Sequence, residues 1–176
     1  MGKGTLQKPL KREFSAGGVV FKRNEEGPSL WLITQHKPSR RMPNPIWRLP
    51  KGWIDNKNKV TPGEVASGTR RGSEKEIQEG ALREVKEEGG IEARIIRKLA
   101  TTKFFFSFKG VRFLKFVTFY LMEWLRDLEE GPGEETQAVD WLPFDEAKKK
   151  LEYSSERAAL KRAEEMLEQG TQGNLL

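Results

Sequence analysis

The chain has 176 residues and a mass of 20.2 kDa, enough for one sizeable domain and too little for two ordinary ones. Its 36% apolar content, with ten Phe and five Trp, supports a packed core, and no apolar run approaches the ~20 residues needed to cross a bilayer. The absence of cysteine and the single histidine, His36, exclude disulfides, thiol catalysis, iron–sulfur clusters and multi-histidine metal sites; any metal must be held mainly by carboxylates and carbonyls, which favours Mg²⁺, Mn²⁺ or Ca²⁺.

Residues 1–12 read as a flexible basic tail. The opening MGKGTLQKPLKREF lacks the apolar stretch of a secretory leader, so a soluble, cytoplasmic protein is expected. Phe14 to Phe21 has strand composition, and Gly17-Gly18 within it implies close approach of another backbone. Asn24 to Pro28 is turn chemistry, and Leu30 to Thr34 is the returning strand of a hairpin. His36 to Pro45 is a Pro- and Arg-rich loop, followed by a short strand over Ile46–Leu49. Lys51 to Gly72 is polar, glycine-rich and aperiodic, which predicts a long, mobile loop without structure of its own.

A helix is predicted over Ser73–Glu88, with Ser73 and Glu76 as a capping box and Gly89-Gly90 as its stop. Strands follow over Ile91–Leu99 and Phe104–Phe108, then a turn at Lys109-Gly110. The next strand, Val111–Trp124, is apolar on both faces between Phe116 and Leu121 and therefore central in a covered sheet. After the break at Gly131-Pro132-Gly133 come a short strand, Val139–Leu142, and a helical segment to Leu151 capped by Asp145. A last helix over Ser155–Gln169 puts Ala159, Leu160, Ala163, Met166 and Leu167 on one face. This order gives an α/β (α+β) sandwich: a mixed sheet with helices on its faces.

The chemistry concentrates in Arg83 to Gly90. On a helical wheel Ile77, Ala81 and Val85 mark the buried stripe; Glu88 falls inside it and Glu84 at its edge, with Glu87 beside them. Burying crowded carboxylates is costly, more so near a helix C-terminus, where the dipole also disfavours negative charge. Lys86 points away, and Arg83 is placed to reach only Glu87. A divalent cation would supply the missing positive charge; the plainer reading is a solvated acidic face balanced by Arg83 and Lys86. Upstream, Lys37, Arg40, Arg41, Arg48 and Lys51 lie between Gln35 and Gly52 with no acidic residue among them. Such a cluster suits a polyphosphate, or alternatively a nonspecific RNA surface.

Leu49-Pro50-Lys51-Gly52-Trp53 and Arg83-Glu84-Val85-Lys86-Glu87-Glu88-Gly89-Gly90-Ile91 resemble the two ends of the Nudix box, G-x5-E-x7-R-E-U-x-E-E-x-G-U with U aliphatic. The second half matches at every fixed position. The first departs: 30 residues separate Gly52 from Arg83 where the pattern has 13. An insertion within residues 53–72 is inferred, and the middle glutamate is Glu64, Glu74 or Glu76. The resemblance implies a MutT-like Nudix domain over residues 13–170, built as an α/β/α sandwich on a mixed, curved sheet, with 171–176 as a C-terminal tail.

It further implies hydrolysis of a pyrophosphate bond in a nucleoside diphosphate linked to another moiety, with Mg²⁺ or Mn²⁺ as cofactor. Trp47 to Gly52 is most similar to members acting on dinucleoside polyphosphates or diphosphoinositol polyphosphates. By this resemblance Glu84, Glu87 and Glu88 are metal ligands, and Glu84, Glu87 and Arg83 the catalytic group. Arg40, Arg41, Arg48, Lys51 and Gly52 are candidate substrate contacts. The base is Glu84, Glu87, Glu134 or Glu135, and Trp31, Trp47, Phe104, Phe106 and Phe108 are candidates to stack on a nucleobase. The partner expected is a small nucleotide or polyphosphate, without a membrane. An RNA 5′-end pyrophosphohydrolase or RNA-binding protein of this fold is the alternative, and a catalytically silent regulator is disfavoured by the intact carboxylates.

Overall fold

A computed structural model describes residues 9–173. Its elements run β1 (Leu10–Lys22), β2 (Leu30–His36), β3 (Trp47–Arg48), β4 (Lys51–Trp53), β5 (Asn56–Asn58), β6 (Thr61–Pro62) and α1 (Glu74–Gly89). They continue with β7 (Ile91–Phe108), β8 (Val111–Asp127), β9 (Thr136–Leu142), α2 (Phe144–Lys150) and α3 (Ser154–Gly173). Seven strands form one curved mixed sheet in the order β3-β2-β1-β8-β7, with β4 also paired to β1 and β9 to β2. β1 and β8 run parallel over Leu10–Phe21; the other pairings in this sheet are antiparallel.

Alternation along the strands divides the core into two layers. Val19, Phe21, Val117, Phe119 and Leu121 face Ala147 of α2 and Ala159, Leu160 and Ala163 of α3. Ala16, Val20, Tyr120 and Met122 face Ala81 and Val85 of α1. β8 is therefore covered on both faces, as its two-sided apolar sequence requires. Among the described residues no helix is long and apolar enough to cross a membrane.

Several expectations are corrected. Residues 1–8 lie outside the described residues, but Leu10–Arg12, expected in a flexible tail, pair with Arg112–Leu114 of β8. Likewise 171–173 belong to α3, while 174–176 lie outside the described residues. β7 is one strand of 18 residues: Ala100–Lys103, expected as a gap, pair in regular register with Phe119–Phe116, and the register shifts at Glu92/Ala93, Ile95/Arg97 and Lys98/Ala100 all precede them. α2 begins after Pro143 with no side-chain cap, and Asp145 sits instead in its first turn, where the helix dipole favours it.

The 51–72 segment is not structureless. β4 pairs with β1, β5 pairs with β6, and Phe14 N–H donates to the Ala66 carbonyl at 2.8 Å. Asp55 organises the turn, accepting from Val65 N–H at 3.2 Å and Ala66 N–H at 2.7 Å. Such side-chain ties to backbone leave no hydrophobic period for sequence reading to detect.

Gly17 and Gly18 permit the approach that positions the site. A Cβ on Gly17 would overlap the Pro50 carbonyl oxygen, and one on Gly18 would press on Val85 and Met122 at 2.7 Å. Gly18 N–H donates to Pro50 O at 3.1 Å. Gly17→Ala should therefore destabilise the protein by about 1–3 kcal/mol through overpacking. Chemical denaturation measures this, and an unchanged midpoint would contradict the close approach.

Candidate active site

Helix α1 starts where its sequence predicts. Ser73 Oγ accepts from Glu76 N–H at 3.2 Å, and Glu76 Oε2 accepts from Ser73 N–H at 2.8 Å, closing the capping box. Its other end is unusually well satisfied. Gly90, at φ 64°, donates its N–H to Lys86 O at 3.0 Å; Gly133 N–H donates to Glu87 O at 2.7 Å, and Thr136 Oγ1 to Glu88 O at 3.0 Å. These donors neutralise the carbonyl end of the helix dipole where the carboxylates stand.

Glu84 and Glu88 are both buried, 8% and 7% exposed. Glu84 lies under Gly52, where a Cβ would overlap its carboxylate, and Arg83 Nη2 donates to its Oε1 at 3.0 Å. Burial first, and then the charges of Glu88 and Glu87, push the Glu84 carboxyl up to about 7 despite Arg83. Glu88 differs because hydrogen-bond donors and the Arg48 guanidinium surround it. Its Oε2 accepts the Lys51 N–H at 3.0 Å; its Oε1 lies 2.7 Å from His36 Nε2 and 3.4 Å from Arg48 Nη2. Burial alone would raise Glu88, but Arg48, His36 and Lys51 together hold it below the ordinary carboxylate value.

Glu87 is turned outward, its side chain 59% exposed and 3.9 Å from Arg83 Nε. The structure thus brings two of the three carboxylates together and leaves the third at the rim. Among the described residues no three His, Asp or Glu side chains already converge as a metal-holding group. A divalent cation nevertheless fits the pair chemically: burial and acidic neighbours raise the Glu84 carboxyl to about 7, and a cation held by Glu84 and Glu88 would relieve that repulsion.

The basic residues take distinct places. Arg40 is exposed, and Arg48 is half-buried against Glu88 and His36. Arg41 donates to buried Glu13 at 3.2 Å and sits over the rings of Phe108 at 4.9 Å and Phe113 at 5.6 Å. Lys51 is buried and lies 2.7 Å from Glu156 of α3. Lys115 completes the group, 3.9 Å from Glu13; burial foremost, then Lys51, Arg48 and Arg41, hold its ammonium down to about 8 against the raising effect of Glu13. Of the aromatic candidates, Trp31 is fully buried core and Trp47 packs on the α3-side core. Phe104, Phe106 and Phe108 are half-buried, with Phe106 stacked on Phe113 and Phe104 on Tyr153.

A model of the NUDIX domain matches residues 11–163. The chain belongs to the Nudix family. The protein named MutT4 from Mycobacterium tuberculosis (strain CDC 1551 / Oshkosh) is 30% identical over 170 residues, covering 94% of this chain; the chain spans 60% of that protein's length. Among solved structures, an Ap4A hydrolase binary complex from C. elegans superposes with a TM-score of 0.61 at 21% identity, covering 88% of this chain and 97% of that one. The NUDIX domain of Shewanella oneidensis NrtR, complexed with ADP ribose, gives 0.59 at 16% identity, with 89% and 88% covered. At these identities the structures establish the Nudix fold.

Within the Nudix box, Arg83 is oriented differently from the expectation that it reaches only Glu87. Its guanidinium donates to Trp53 O at 2.6 Å and Ile54 O at 3.2 Å as well as to Glu84. None of the three candidates for the middle glutamate bonds to it. Glu64 is exposed beside Arg70, Glu74 accepts from Tyr120 and Lys98, and Glu76 serves the helix cap and Arg70. The backbone carbonyls of Trp53 and Ile54 do the orienting. His36, Glu13, Lys115 and Glu156 were not predicted; Glu156 was detectable, since it falls on the α3 stripe of Ala159, Leu160 and Ala163.

Between about pH 4.5 and 7 the unfolded chain has released the Glu84 proton while the folded chain keeps it, so stability must fall as pH rises through that window. The loss is on the order of 3 kcal/mol. Chelator-treated protein should lose stability from pH 5 to 8 in urea titrations, and Glu84→Gln should flatten that slope; identical slopes would remove the assignment.

Proposed function

We propose that this Nudix protein is a metal-dependent pyrophosphohydrolase of the cytoplasm. Its substrate is a small nucleotide in which a nucleoside diphosphate is linked to another group, preferentially a dinucleoside polyphosphate. The observation that carries the reading is the buried Glu84–Glu88 pair set beside Arg41, Arg48, Lys51 and Lys115. Two like charges under one helix end call for a cation, and the clustered cations alongside call for a polyanion.

Glu84 and Glu88 would hold Mg²⁺ or Mn²⁺, with Glu87 at the exposed rim. A cation there would neutralise phosphate oxygens and make the attacking water more acidic. Arg83 acts as a positioning residue, tying Glu84 to the Trp53 and Ile54 carbonyls. Among the candidate bases Glu84, Glu87, Glu134 and Glu135, the exposure of Glu87 on the same helix end supports it as the group that would accept the proton of the water. The half-buried rings of Phe104, Phe106 and Phe108 around Arg41 offer stacking surface for a base. Preference for a dinucleoside polyphosphate is supported by the Trp47-to-Gly52 wording and by the shared fold with an Ap4A hydrolase.

Product release from a panel of dinucleoside polyphosphates, ADP-ribose, nucleoside triphosphates and capped RNA, with and without Mg²⁺, tests this directly. Ap4A should be turned over best, and only with metal; preferential decapping would favour the RNA reading instead. Glu88→Gln should leave the protein folded while lowering hydrolysis at least ~100-fold. Full activity in that variant would refute the role given to Glu88.

A further inference from the structure

The first turn of α3 carries a carboxylate outside the box motif. Glu156 is 1% exposed. Its Oε2 accepts the Leu49 N–H at 2.9 Å, and its Oε1 lies 2.7 Å from Lys51 Nζ. Pro50, between those residues, has no N–H to give, and the Lys51 N–H turns the other way, to Glu88 Oε2 at 3.0 Å. The Leu49-Pro50-Lys51 segment is thus gripped between two buried carboxylates, one from α1 and one from α3.

A leucine on the α3 stripe would pack there without the cost of burying a charge, and apolar replacement of buried ion pairs is often neutral or stabilising. Packing alone therefore does not account for Glu156, whereas its hydrogen bond from Leu49 N–H and its ion pair with Lys51 both end on the Leu49–Lys51 segment that supports Glu88. We propose that Glu156 is a positioning residue of the active centre. It fixes Lys51 and the Leu49–Lys51 backbone, so that the Lys51 amide holds the Glu88 carboxylate in place, and α3 thereby becomes part of the catalytic machinery. The kinetic consequence rests on the hydrolase reading given above; the structural one does not.

The test is Glu156→Gln, examined by steady-state hydrolysis of Ap4A with Mg²⁺ and by amide NMR of the metal-free protein. The variant keeps side-chain volume and one acceptor oxygen but presents a neutral amide to the Lys51 ammonium. We expect kcat to fall about 10-fold or more with KM little changed, as for other residues that act through a ligand. The Lys51 amide resonance should move, reporting the altered bond to Glu88. In a Lys51→Met background Glu156→Gln should add little, because the two act as one unit.

Unchanged kcat and an unmoved Lys51 amide, with only a lower Tm, would overturn the proposal and leave Glu156 a fold anchor. If the wild-type protein hydrolyses none of the panel, the hydrolase reading fails while the amide shift still decides this one. Should Glu156→Gln not fold, the double variant Glu156→Leu/Lys51→Met removes both charges at once. Wild-type kcat in that folded double variant would equally refute the proposal.

Discussion

Two like charges share the buried face of one helix end, and the rest of the site is arranged around that constraint. Glu84 and Glu88 stand one turn apart on α1, both removed from water, at the end where the helix dipole is also negative. The protein meets this in two unequal ways. Glu88 is given the Arg48 guanidinium, the His36 ring at 2.7 Å and a backbone donor in Lys51, and its carboxyl is held below the ordinary value. Glu84 is given only Arg83 and is left near neutrality. On the proposed reading, a bound cation would take the place of the proton on Glu84.

The surrounding architecture keeps the pair from escaping. Capping of the Lys86, Glu87 and Glu88 carbonyls by Gly90, Gly133 and Thr136 removes part of the repulsion at its source. Above the pair, the missing Cβ of Gly17 lets the Pro50–Lys51 backbone come close, Gly18 N–H ties it down through Pro50 O, and the missing Cβ of Gly52 gives the Glu84 carboxylate its space. The two core layers hold α1 and α3 on opposite faces of the sheet, so the one segment reached by carboxylates from both is fixed from two directions. The opposed grip substitutes for the regular ladder that a proline-containing segment cannot form.

Much of this was legible in the sequence wherever periodicity carried the signal. The wheel places Glu88 in the apolar stripe of α1, and the structure buries it there. The capping box at Ser73, the central position of β8 and the close approach at Gly17-Gly18 rest on equally local rules. What escaped was built from contacts distant in sequence. His36 pairs with a residue 52 positions on, and Glu156 with one 107 positions back. Neither interaction leaves a spacing to read, although the wheel applied to α3 would have shown a buried glutamate. The order of residues 51–72 comes from Asp55 and from backbone pairing, and their polar composition records neither. Arg83 shows the same limit: its main partners are carbonyls, which every residue carries.

Cation uptake by the Glu84–Glu88 pair is the central claim, and proton release on metal binding reports it most directly. Calorimetric titration of the protein with Mn²⁺ in buffers of different ionisation enthalpy counts those protons. A cation seated between the carboxylates should expel close to one proton per chain at about pH 6 and close to none at about pH 8.5. Binding heats independent of the buffer at both values would mean that the buried pair does not take up the metal.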